Sequence, residues 1–374
     1  QTRVFRNQDR KRKILAPFFT EYFSPLMPPL MYLAGYDLEI LPPSDEQSAQ
    51  LGLAYANNEV CYPATLIVGD MIKALKSGKY DTDNIALVMT QTGGQCRATN
   101  YTALIKRAMI ANGFADVPLI TLGVSTAGGD NEQEGFAYPW VKLATITTNA
   151  VLFCDVISKF YNAAAVREKT PGAAEALKRK YIRLADDVIR KNDAPGIIRL
   201  TEEAAREFDS IVVEKDCPKV GIVGEIFLKF NPFAHQFIAD KLTRHGIEVV
   251  PPLISPFFLQ EFVNVETQKS LGLTNSNMPK FVIRSIWKLI WRQEKKMNKA
   301  ASAFRYYRPF TSIYEDAEGA KGLVSFAAQF GEGWLLPADI VAFEQSGVHN
   351  VISLQPFGCI ANHIISKGIE RRYK

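Results

Sequence analysis

The sequence has little of what usually announces a function. It holds five cysteines in 374 residues, an odd number with no CxxC pair, so no disulfide scaffold and no local zinc motif is written into it. No G-x-x-x-x-G-K-[ST] occurs, and GGQCR lacks the spacing of a nucleotide-binding glycine loop, which removes an ATP site of the P-loop type. No apolar run approaches the roughly 18 residues that cross a bilayer, and no secretory signal opens the chain. No membrane partner is therefore expected, and a reducing cytoplasm is the expected compartment, where thiols stay free or bind metal. The chain opens on Gln1 and not on Met, as a trimmed chain or a piece of a longer one would.

The charge excess is also small, 44 basic against 39 acidic residues, for +5. Much of it sits in RVFRNQDRKRK and KGIERRYK at the two ends. The aromatic-plus-basic signatures of nucleic-acid binding are missing, so nucleic acid is not expected as a partner. These ends read as solvated segments, with an acidic partner protein as the alternative.

What is present is an alternation of short apolar runs with helical ones. Lys13–Phe19, Asp37–Leu41, Ile85–Met89 and Pro118–Leu122 read as strands. Helices are expected near Pro25–Ala34, Ala64–Leu75 and Ala98–Ala111. The alternation predicts an α/β fold with doubly wound parallel sheets. From Tyr138 to Phe208 the periodicity turns helical, with breaks at Thr170-Pro171-Gly172 and Ala194-Pro195-Gly196. A second strand-rich stretch opens with KVGIVG at Lys219. Its RHGIEVVPP echoes AGYDLEILPP of the first stretch, each closing a helix with Gly and running a strand into Pro-Pro. The expected organisation is a first lobe over 1–135 with Cys61 and Cys96, a helical insert over 136–215, and a second lobe over 216–374 with Cys359.

Ligands of open α/β sheets bind beyond the carboxyl ends of the strands. Cys96, in TQTGGQCRATNY, and Cys359, in LQPFGCIANHI, each follow a strand, and Cys61, in NNEVCYPATLIVGD, stands two residues before Pro63. All three are expected immediately before a helix. There the helix dipole and free N–H groups favour a thiolate, the form that binds metal. Neighbouring glycines and prolines let backbone approach and give N–H groups to cluster sulfurs. Three such thiolates suit a [4Fe–4S] cluster with one iron left open. The alternatives at this point are core packing of each cysteine, zinc on the three thiols with His363, or a disulfide between two of them. Cys154 reads as core and Cys217 as a connector residue. His235, His245 and His349 read as structural, and His363 as a candidate for proton transfer. Glu59 and Glu332, in cysteine-flanking or Gly-rich loops, are candidate acids or bases. Gly94, Arg97 and Gly358 are candidate cofactor contacts, and Asn100 could meet an anionic substrate.

At these residues the sequence resembles a known family. NNEVCYPATLIVGDMIKAL, TQTGGQCRATNY, EGWLLPADI and LQPFGCIANHI are similar to the cluster-bearing region (2-hydroxyglutaryl-CoA dehydratase D-component-like) of the 2-hydroxyacyl-CoA dehydratase superfamily. The likeness is closest to the C-terminal part of large acyl-CoA dehydratase activase-related proteins, with double-cubane cluster proteins as relatives. It covers nearly the whole chain. It implies flavodoxin- or Rossmann-like lobes and an oxygen-sensitive [4Fe–4S] cluster on Cys61, Cys96 and Cys359, or a double-cubane [8Fe–9S] cluster if Cys217 joins. It also implies an ATP-hydrolysing activator, as a separate domain or protein, that delivers a low-potential electron. The chemistry implied is reductive or radical, on an acyl-CoA or small molecule, as a reductase or a dehydratase-like lyase component. A homodimer is implied as well. The competing function is a non-catalytic docking module for the activator, with a structural or vestigial metal site.

Overall fold

The computed structural model describes residues 2–57, 59–91, 96–123, 133–274 and 279–372. The chain forms two units: one of 1–139, 225–236 and 354–367, the other of 140–224, 237–353 and 368–374.

The first unit is built on strand β1 (Lys13–Ala16), which Pro17 ends by offering no N–H to a neighbouring strand. It pairs in parallel with β2 (Leu38–Ile40) and with β3 (Ile85–Gln91), and β3 pairs in parallel with β4 (Leu119–Gly123), giving the order β2-β1-β3-β4. The side-chain period of two divides these strands between two cores. Leu15, Ile85, Leu87, Met89 and Leu119 point into one cluster, and Ile14, Ala16, Ala86, Val88 and Ile120 into the other. Residues of α3 (Tyr62–Lys76) and α4 (Tyr101–Ala111) fill the first cluster, and Met31 of α1 (Met27–Leu33) belongs to the second. The continuous apolar strands of the sequence are thus strands buried on both faces.

Helix α2 (Glu46–Tyr55) is capped by Asp45, whose carboxylate accepts from Ser48 N at 2.9 Å. It lies directly on α3, where Gly52 meets the backbone of Thr65 and Gly69 meets that of Ser48, so neither position has room for a Cβ. The segment 225–236, which includes α8 (Ile226–Phe230), joins the same core through Phe227, Leu228 and Ala234. Asn231 Nδ2 donates to Ser44 Oγ at 3.2 Å, and Ser44 donates to buried Asp70 at 2.7 Å.

The second unit has the strand order β6-β5-β7, from β5 (Lys219–Gly224), β6 (Glu248–Val250) and β7 (Val351–Leu354), with β5 and β6 parallel. Its helices are α5 (Trp140–Ala165), α6 (Ala173–Arg190), α7 (Ala194–Ser210), α9 (Ile238–Arg244), α10 (Ser255–Ser270), α11 (Lys280–Ala301), α12 (Ile313–Ala320) and α13 (Leu335–Gln345). The two Pro-Gly breaks fall where expected, between α5 and α6 and at the first turn of α7. The echoed motifs take equivalent places, since β2 and β6 each pair with the first strand of their sheet. Gly35 and Gly246 both adopt the left-handed φ, at 85° and 73°, that turns the chain from a helix into that strand.

Two expectations are revised. The helices of 136–215 are not a separate insert, because they share a unit with the second sheet. Arg167, just past α5, is buried and bonds Glu248 on β6 at 2.7 Å, while Arg308 takes the other oxygen at 2.9 Å. Asp155 of α5 also accepts the N–H groups of Ile254 and Ser255, at 2.8 and 2.9 Å, where α10 begins. The absence of a span-length apolar segment is revised too. By length and composition α5 could cross a membrane, though 61% of its most apolar stretch is buried within the protein.

Candidate metal centre

The second lobe was expected to carry Cys359, yet Cys61, Cys96 and Cys359 all belong to the first unit. As predicted, each stands directly before a helical turn. Cys61 is the N-cap of α3, with Pro63 in the first turn, and Cys96 caps a 3₁₀ turn (Arg97–Asn100) that runs into α4. Cys359 precedes the helical segment 360–372.

Two contacts are made around Cys61. Gly358 has φ 72°, and a Cβ added there would lie 3.2 Å from both Cα and N of Cys61. The backbone just before the third cysteine is therefore pressed against the first one, and Tyr62 N donates to Phe357 O at 3.2 Å across the same seam. The second contact is Tyr101, a buried residue of α4 whose hydroxyl lies 3.3 Å from Cys61 Sγ. Cys96 is close enough for its charge to act on that same hydroxyl.

The electrostatics follow from burial. Cys61 is 5% exposed and Cys359 7%, whereas Cys96 is half-buried. Burial pushes the Cys61 thiol above its ordinary range; the Tyr101 hydroxyl, the Ala64 N–H and the Arg97 charge pull it down, and Glu225 pushes it up again. Tyr101 is raised well above its usual value by burial, then by the charges of Cys61 and Glu225. A metal would have to displace a proton from Cys61 and would offset the burial that disfavours its thiolate. Cys359 Sγ accepts from Asn362 Nδ2 at 3.1 Å; Asn362 is fully buried and its Oδ1 has no hydrogen-bond partner.

The other predicted residues divide. Gly358 and Arg97 stand at the site, Arg97 exposed beside Cys96. Gly94 lies outside the described residues. Glu59 is exposed two residues before Cys61, with its N–H on Asn57 Oδ1 at 2.9 Å. His363 has its backbone N–H on Cys359 O at 3.0 Å and an exposed side chain. Glu332 is buried in the second unit, not in the unit that holds the cysteines. Cys154 is a core residue of α5, as read, and Cys217 is buried ahead of β5, both in the second unit. All five cysteines are free thiols.

Sequence reasoning missed Tyr101, Asn362 and Glu225. Asn362 had a signal, since it stands about one helical turn beyond Cys359 in CIANH, whereas Tyr101 meets a cysteine forty residues earlier and had no local one. Glu225 had none; only the return of 225–236 to the first unit brings it near.

Among the described residues no three His, Cys, Asp or Glu side chains gather as the ligand set of one ion. A tetrahedral zinc site needs such a set, whereas a cubane spreads its thiolates over different irons. Thiols, a closely packed glycine such as Gly358 and an amide N–H such as that of Asn362 on Cys359 Sγ are the kinds of group that iron–sulfur ligation uses. Compared with known proteins, the chain matches no family model, no curated protein and no solved structure.

Proposed function

We propose that the chain is a cluster-bearing redox protein of the 2-hydroxyacyl-CoA dehydratase type, holding a [4Fe–4S] cluster on Cys61, Cys96 and Cys359. On this reading it takes low-potential electrons from an ATP-hydrolysing activator and serves reductive or radical chemistry on an acyl-CoA or small-molecule substrate. The observation that carries it is the Gly358 contact, which brings the backbone just before Cys359, far along the chain, against the backbone of Cys61. The 2-1-3 start common to both sheets supports flavodoxin-type winding of each lobe.

When bound, such a cluster supplies one-electron chemistry at low potential and an iron free of protein ligands. The residues then have separate tasks. Cys61 and Cys359 would hold the cluster from buried positions, and Cys96 from a half-buried one more open to a substrate. Arg97 presents a positive charge on that side, suited to an anionic substrate or an acidic activator surface.

The test is iron, sulfide and visible-spectrum analysis of anaerobically purified protein, beside Cys61→Ala, Cys96→Ala and Cys359→Ala. About four irons per chain, lost in each variant, is expected for one cubane. Iron that survives all three substitutions puts the ligands elsewhere, and none under strict anaerobiosis leaves the chain a docking module for the activator.

A further inference from the structure

Both buried thiols of the proposed centre already share a hydrogen bond with a side chain. Tyr101 is 6% exposed, and its hydroxyl sits 3.3 Å from Cys61 Sγ. Asn362 is fully buried, spends its amide N–H on Cys359 Sγ at 3.1 Å and leaves its own carbonyl oxygen without a partner. Leaving a buried acceptor unsatisfied is costly, so the side chain is held for its donor. A metal-bound thiolate carries no proton and can only accept, which fixes the direction at Cys61 as well: the Tyr101 O–H must donate. The two donors sit on separate helices, Tyr101 at the start of α4 and Asn362 on the segment after Cys359, and each serves a different sulfur.

A hydrogen bond to a ligand sulfur stabilises the more negative, reduced form of an iron–sulfur cluster and raises its potential. We propose that Tyr101 and Asn362 are positioning residues that set the reduction potential of the cluster through the sulfurs of Cys61 and Cys359, and that neither is a ligand. This rests on the cluster reading above. It adds that the chain moderates its own cluster, lifting it toward the range an activator can reach.

The experiment is a redox titration followed by electron paramagnetic resonance, with iron content measured in parallel, on the wild-type chain, Tyr101→Phe, Asn362→Leu and the double variant. Iron stays at the wild-type level in all of them. Each single variant shifts the midpoint to more negative potential, and the double variant shifts it by about the sum, because the two bonds act on different sulfurs. A ring-fluorinated tyrosine at position 101 gives a second probe that keeps the ring and strengthens the donor, and it moves the midpoint positive. A loaded Tyr101→Phe or fluorinated chain with an unmoved midpoint overturns the inference while leaving the cluster reading in place. Iron lost from a folded Tyr101→Phe chain also overturns it, by making the hydroxyl a condition of loading. A wild-type chain without iron overturns the cluster reading and this inference together.

Discussion

Replacing Gly358 with alanine separates the cost of a backbone conformation from the cost of a contact. Among the left-handed glycines of the first unit, Gly358 at 72° and Gly113 at 80° make a matched pair. A Cβ on Gly113 meets nothing within 4 Å, whereas one on Gly358 meets the backbone of Cys61 and Val60 at 3.2 to 3.3 Å. Both substitutions carry the left-handed penalty of about 1–2 kcal/mol. Only Gly358→Ala adds overpacking, against backbone atoms that cannot rotate away, worth about 1–3 kcal/mol more. Gly358→Ala is therefore expected to lose about 2–5 kcal/mol, a large share of the roughly 5–15 kcal/mol that holds a domain folded. Relief comes by pushing Cys359 away from Cys61, so iron content should fall in Gly358→Ala and hold in Gly113→Ala. All four tryptophans, at 140, 287, 291 and 334, lie in the second unit. Urea unfolding followed by tryptophan fluorescence thus serves as an internal control, while far-UV circular dichroism also follows the first unit. Stability and iron in Gly358→Ala that match Gly113→Ala within about 0.5 kcal/mol would refute the reasoning.

Other perturbations have equally definite expectations. Burial, then the charges of Asp316 and Asp155, raise Glu294 from 4.5 to about 8, and burial above all raises Asp316 from 3.8 to about 7. The folded second unit then holds protons that the unfolded chain has released, so its stability should fall as pH rises from about 5 to 7, by up to about 1.4 kcal/mol per pH unit for each group. Glu294→Gln should flatten that slope in fluorescence-monitored unfolding, and an unchanged slope would reject the assignment. Arg167→Met strands the buried Glu248 carboxylate and should remove about 3–5 kcal/mol from the second unit; a loss under about 1 kcal/mol by the same assay would mean that Arg308 alone suffices. Gly69→Ala forces α2 off α3 and should lower the stability of the first unit by at least about 3 kcal/mol, read as a drop in its thermal midpoint by circular dichroism.

Most of the strands were legible because they are short, apolar and punctuated: Pro17 stops β1, Pro42 and Pro251 follow β2 and β6, and glycines turn the chain into each second strand. The N-cap positions of the cysteines were legible for the same local reason. Helix α2 was missed because its apolar residues, Leu51, Leu53 and Tyr55, make no clear stripe and its packing depends on Gly52, which carries no hydrophobic signal. The placing of Cys359 was out of reach for a deeper reason. Its neighbour Gly358 meets Cys61 across most of the chain, and no local periodicity encodes which sheet a loop will join. The same holds for Arg167 and Glu248, whose pairing ties helices to a sheet that the sequence presents as a separate lobe.

The discontinuity of the first unit has a consequence for assembly. Residues 354–367 complete it only after the body of the second unit, 140–224 and 237–353, has been made. On a ribosome that releases domains in order, Cys61 and Cys96 emerge early and wait, their hydrophobic surroundings open where Phe227, Leu228 and Gly358 will later seat. Any cluster loaded on all three thiols would then have to wait until Cys359 has been made, after the body of the second unit.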